Sequence, residues 1–123
     1  MKQHKKTVAA YCRVGRSDDL ALFIQKDQFT RLANARGYDN LVHYQDNGYS
    51  GLDTERPAFS AMNKDIQAGN INRVLVVDIS RIGRNTQLVF DWLYKMSLAK
   101  IAVDTPDGRF YMDPLIKIFD EIY

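Results

Sequence analysis

The chain has one cysteine, two histidines and one tryptophan in 123 residues. A lone Cys12 excludes an internal disulfide and suits a reducing cytoplasm. His4 and His43 have no partner at metal-ligand spacing, so neither opens a metal site. Charge of one sign is also scarce: the formal net charge is +2. That excess is too small to signal nucleic acid by itself, and any such claim must rest on where the charges lie. No apolar run approaches the roughly 18 residues of a membrane span. Lys2, Lys5 and Lys6 resemble the basic start of a signal peptide, but only Thr7 to Tyr11 follows before Arg13, which is no apolar core. No repeat and no low-complexity segment is present. What remains is one domain with 46% hydrophobic and 26% charged residues, large enough to bury a real core.

Strands and helices alternate along the chain. Thr7 to Val14 reads as a first strand. Leu22 to Arg36 carries Leu22, Phe29, Leu32 and Ala33 at helical spacing and stops at Gly37. Leu41 to Tyr44 is a short strand, and Asp46 to Thr54 is loop-like. Pro57 suits a first helical turn, with Phe59, Met62 and Ile66 as its apolar stripe up to Gly69. Ile71 to Ile79 is a third strand, apolar on both faces from Val74 to Val77 as an interior parallel strand should be. Leu88, Val89, Trp92, Leu93 and Met96 mark the next helix, Ile101 to Val103 a fourth strand, and Asp104 to Gly108 a turn. Leu115, Ile118, Phe119 and Ile122 start a last amphipathic helix, which either caps the core or meets a partner. The pattern predicts an α/β domain of three layers, with a mainly parallel four- to five-stranded sheet flanked by helices.

In such sheets ligands bind beyond the carboxyl ends of the strands. Arg13, Asp46 and Arg81 all fall near those ends. Arg81-Ile82-Gly83-Arg84 follows the third strand, and read as a helix start it puts two guanidiniums on one face. Arg56 adds a fourth candidate. Guanidinium is the group suited to planar, bidentate phosphate recognition, so the set points to a phosphodiester site. Plainer readings exist: Arg81 and Arg84 paired with Asp78 or Asp91, Gln25 facing solvent, Asp46 and Asp78 either structural or metal ligands, and Trp92 in the core.

These segments together resemble the catalytic domain of the serine recombinases, the resolvase/invertase family. Tyr11-Cys12-Arg13-Val14 is similar to the family's opening strand, and Gln25 sits where its first helix carries a Gln. Asp46-Asn47-Gly48-Tyr49-Ser50-Gly51 is similar to its Asp-x-Gly-x-Ser-Gly loop, and Arg56-Pro57 to the pair before its second helix. Ser80-Arg81-Ile82-Gly83-Arg84-Asn85 is similar to its Ser-Arg-Leu-x-Arg-Asn signature. Gly108-Arg109 and Phe119-Asp120-Glu121 resemble the approach to a long pairing helix. The resemblance implies site-specific DNA recombination: a serine attacks a DNA phosphate and becomes linked to the 5′ end, dimers join into tetramers, strands exchange and religate. It implies DNA as partner, a homodimer or a tetramer on DNA, no metal, no cofactor and no membrane. It places residues 1–123 in one catalytic domain that stops near the start of the dimerisation helix, without the DNA-reading part. The site residues it implies are Tyr11, Arg13, Gln25, Asp46, Ser50, Arg56, Arg81 and Arg84, with Ser50 assisting.

One position departs from the pattern. Gly15 stands where the family has its attacking serine. A hydrogen cannot attack a phosphate, so the covalent step loses its nucleophile. Tyr11 lies two residues back on the same strand face, and Cys12 points the opposite way, toward the core. Ser17 has a hydroxyl two positions past the gap, across an expected turn. The resulting expectation is an impaired recombinase domain. Cleavage through Ser17 or water, and an α/β interaction module that touches no DNA, are the alternatives.

Overall fold

The computed structural model of the chain describes residues 7–50, 55–108 and 111–112. Its elements are β1 (Thr7–Val14), α1 (Asp19–Arg36), β2 (Leu41–Asn47), α2 (Pro57–Gln67), β3 (Ile71–Leu75), a single 3-10 turn (Ile79–Arg81), α3 (Thr86–Leu98), β4 (Ala102–Asp104) and β5 (Tyr111–Met112). The sheet order is β2-β1-β3-β4-β5. The first four strands are parallel, and β5 runs antiparallel to β4. The expected mainly parallel α/β sheet is therefore present. The Leu115–Ile122 stripe, Gly51, Arg109, the Phe119–Glu121 segment and the basic leader with His4 lie outside the described residues. No helix among the described residues is long and apolar enough to cross a membrane.

β1 explains the three layers. It lies between β2 and β3, so both of its edges are paired, and helices cover both of its faces. Ala9 and Tyr11 point into one cluster with Met62 and Ile66 of α2 and Val89, Trp92 and Met96 of α3. Val8, Ala10, Cys12 and Val14 point into the other, with Leu22 and Phe29 of α1. Period-two alternation thus feeds two cores from one strand. Trp92 is a core residue, and its indole N–H donates to Asn63 at 2.9 Å. Cys12 is fully buried, and burial pushes its thiol up to about 12. At about pH 8 roughly one thiol in ten thousand is then ionised. Native protein is expected to resist iodoacetamide for hours and to label fully once unfolded in urea, as mass spectrometry would read.

The helices obey their local signals. Asp18 caps α1 by accepting from the Ala21 N–H at 3.0 Å, which starts the helix three residues before the Leu22 stripe. Gly37 ends it in the left-handed region at φ 72°, as expected of a glycine stop. β4 runs Ala102–Asp104, one residue later than the sequence reading, and three other boundaries that bear on the site differ from it. β2 continues through Asn47, because Asp46 and Asn47 stay paired with Arg13 and Val14. β3 stops at Leu75, although Val76 remains buried and donates to the Asp104 carbonyl. The Arg81–Arg84 stretch does not open a helix. Asn85 is the cap of α3, accepting from the Leu88 N–H at 3.2 Å, so α3 starts at Thr86. Arg81 ends a separate 3-10 turn and Arg84 precedes the cap; they do not share a helix face.

Candidate active site

The carboxyl ends of β1 and β2 bring Arg13 and Asp46 opposite each other in register. Asp46 is almost fully buried and takes three donors. Its Oδ1 accepts from the Ala58 N–H at 2.8 Å, and its Oδ2 accepts from the Phe59 N–H at 3.0 Å and the Tyr11 hydroxyl at 2.7 Å. Arg56 occupies the cap position of α2 but makes no capping bond with its side chain. Asp46 therefore caps α2 from the neighbouring strand, satisfying N–H groups that a helix start leaves open. Burial, and then the hydrogen bond to Asp46, raise the Tyr11 phenol above its ordinary range, which keeps it a donor.

That cap fixes Arg56 just before α2. Its guanidinium lies 4.2 Å from the centre of the Phe59 ring and 5.7 Å from that of Tyr11. Nη1 donates to the Tyr11 oxygen at 3.2 Å and to the Arg81 carbonyl at 3.0 Å, and Nη2 to the Ile82 carbonyl. Arg13 reaches the same turn from β1. Its Nε donates to the Arg81 carbonyl at 3.2 Å, Nη2 to the Ser80 carbonyl at 2.8 Å and Nη1 to the Tyr49 carbonyl at 3.1 Å. Two buried arginines, one from β1 and one from the start of α2, thus clasp one turn by its backbone oxygens. Hydrogen bonds from charged donors are the stronger kind, so this clasp is a rigid mount.

Arg81 and Arg84 sit on what is clasped. The Arg81 Nη2 lies 3.8 Å from the Asp78 carboxylate, which also accepts from the Ser80 hydroxyl, so the expected Asp78 pairing exists within the cluster. Arg84 is exposed at its edge. Burial, and then the positive charges of Arg56, Arg81 and Arg84, lower the Arg13 pKa, with Tyr11 acting in the opposite direction. Arg13 is thus close enough to feel the other three guanidiniums.

Gly15 lies just past β1 and is exposed. Its backbone is outside the left-handed region, and a Cβ there would meet only the Arg13 Nη1, at 3.9 Å. Nothing in the backbone demands glycine at this position. Ser17 packs beside Gly48: a Cβ at Gly48 would lie 3.6 Å from the Ser17 backbone nitrogen. Asn47 holds that loop, accepting from the Asp18 N–H at 2.8 Å and donating to the Asp19 carboxylate at 2.9 Å. Ser50 is half-buried, one residue beyond the Tyr49 carbonyl that Arg13 holds. Gln25 does not face solvent. It is buried on the core side of α1, its Oε1 makes no hydrogen bond, and it makes none to the arginines. Tyr49, Asn47 and Phe59 were not among the residues the sequence singled out for the site. Phe59 read only as helix stripe, and Tyr49 acts through its backbone, which no side-chain pattern signals.

Two arginines thus mount a turn that ends in a third, Arg81, with Arg84 close after it. The family model of the resolvase N-terminal domain covers residues 8–119. The chain belongs to the resolvase N-terminal domain family. It is the resolvase N-terminal domain of the serine recombinase family. It is 27% identical over 113 residues to a candidate DNA recombinase of Bacillus subtilis (strain 168), an alignment covering 85% of this chain and 23% of that protein. The chain therefore spans about a quarter of that relative's length. Its fold is similar to the N-terminal catalytic domain of TP901-1 integrase, with a TM-score of 0.79 and 26% identity over 95% of this chain and 90% of that one. It is also similar to a resolvase family site-specific recombinase from Streptococcus pneumoniae, with a TM-score of 0.73 and 26% identity over 96% of this chain and 85% of that one.

Proposed function

We propose that this resolvase domain grips the DNA backbone as a recombinase subunit but is impaired in strand cleavage, because Gly15 occupies the nucleophile position. The observation that carries this reading is the division of labour among the arginines. Arg13 and Arg56 hold the turn by its carbonyls, Arg81 ends that turn, the exposed Arg84 follows it, and the Arg13 Nη1 lies beside Gly15. Donors fixed in advance at a phosphate cost no reorganisation when charge develops on its oxygens. Tyr11 and Asp46 position Arg56, Ser50 belongs to the rim, and Gln25, buried on α1, completes the set. The chain acts in the cytoplasm, as a homodimer and as a tetramer on DNA.

Steeply salt-dependent DNA binding tests the reading, since each phosphate neutralised releases counterions. Arg84→Ala is expected to weaken binding several-fold and to lower the salt slope by about one. The thermal midpoint should not move, since Arg84 is exposed. Affinity by fluorescence anisotropy across a salt series, beside a melting curve, checks both parts. Binding that ignores salt, or that Arg84→Ala leaves untouched, overturns the assignment.

A further inference from the structure

Resting on that reading, we infer that the arginine cluster prefers the phosphate of a strand end, a phosphomonoester, to the phosphodiester within an intact strand. The inference starts from the opening at Gly15. A Cβ there would come within 4 Å of nothing but the Arg13 Nη1, so space for an added group lies beside the guanidinium of a residue that is only 5% exposed. A guanidinium has five N–H donors. Arg13 directs one from each nitrogen at the Tyr49, Ser80 and Arg81 carbonyls, which leaves one N–H on Nη1 and one on Nη2. The Nη1 that keeps a spare donor is the atom nearest the Gly15 opening. The Nε groups of Arg56 and Arg81 are likewise buried without a hydrogen-bond partner among the described residues.

The charge count points the same way. Four guanidiniums form the cluster, and two carboxylates, Asp46 and Asp78, bond into it among the described residues. Four minus two leaves two positive charges. A diester phosphate offers one negative charge, whereas a monoester carries close to two at neutral pH and has one more free oxygen. Where an intact strand continues into the next sugar, a strand end places that oxygen. The Gly15 opening admits it, and the spare Arg13 N–H is there to bond it. No bond is made or broken; the site holds an end.

The test is a titration of the 15N-labelled chain, at low salt, with four short duplexes. They carry a 5′-phosphate, a 3′-phosphate, a methyl-capped terminal phosphate, or hydroxyls only. The arginine side-chain Nε–H signals are followed by NMR. One of the two phosphorylated duplexes is expected to bind at least about tenfold more tightly than the hydroxyl-ended one, and the methyl cap to remove most of that gain. Gly15→Val fills the opening without strain and is expected to bring the ratio to within about twofold at an unchanged melting temperature. Equal binding of hydroxyl-ended and phosphorylated duplexes, with arginine signals still shifting, overturns the inference and leaves the DNA reading standing. A phosphate preference that persists in Gly15→Val also overturns it, because the end is then held elsewhere. No shift with any duplex overturns the DNA reading, and the inference falls with it.

Discussion

A Gly15→Ser variant, fused to a sequence-reading DNA-binding domain and mixed with supercoiled DNA carrying its sites, is expected to yield a protein–DNA adduct that survives denaturation, where the parent fusion yields none. The fold does not resist the change. Gly15 is exposed, its backbone is one any L-residue adopts, and the nearest atom to a new Cβ is 3.9 Å away. The serine hydroxyl, one bond further out, comes within reach of Arg13. Losing the nucleophile from a group that acts as a unit costs roughly a millionfold. Misplacing it by about 1 Å forfeits about a hundredfold of what is restored. A gain on the order of a thousandfold or more is therefore expected even if the hydroxyl lands imperfectly. Labelled DNA on a denaturing protein gel reads the result. Silence from a variant that still binds DNA would mean that the glycine is not what impairs the domain. Ser17→Ala should leave the restored adduct intact, because position 15 and not Ser17 lies beside the Arg13 guanidinium; loss of the adduct would transfer the nucleophile's role to Ser17.

The sequence made the layers legible because they follow from side-chain period alone. β1 feeds two cores, and α1, α2 and α3 each bury one stripe. Gly37 and Pro57 marked their helix ends through backbone chemistry that no tertiary contact alters. Boundaries were less legible where apolar character and pairing part company. Val76 and Val77 continue an apolar run after β3 has ended, and Asp46 and Asn47 are polar yet still paired in β2. In the site, the identity of the arginines was legible but their division of labour was not. Arg13 and Arg56 spend donors on backbone carbonyls, and a carbonyl leaves no trace in a sequence. Asp46 as a cap supplied from another strand, twelve residues before the N–H it serves, belongs to the same kind of contact. It requires the fold to exist before it can be seen.

Asp46→Ala is expected to destabilise the domain by about 3–5 kcal/mol, the cost of removing one partner from a buried charged network. The loss compounds because one carboxylate serves three structures. The first two N–H groups after Pro57 lose their acceptor, the Tyr11 hydroxyl loses its own, and the cluster of four guanidiniums loses a negative charge. Urea unfolding should show a midpoint lower by roughly 1–3 M at an unchanged slope. Asp46→Asn separates shape from charge. An amide oxygen placed at Oδ2 still accepts from Phe59 and Tyr11, but its NH2 then faces the Ala58 N–H, two donors with nothing between them. The expected cost is about half that of alanine, at least 1 kcal/mol. Should Asp46→Ala cost less than about 1 kcal/mol, the α2 start and Arg56 are held by something else, and the clasp on the 80–82 turn does not depend on this carboxylate.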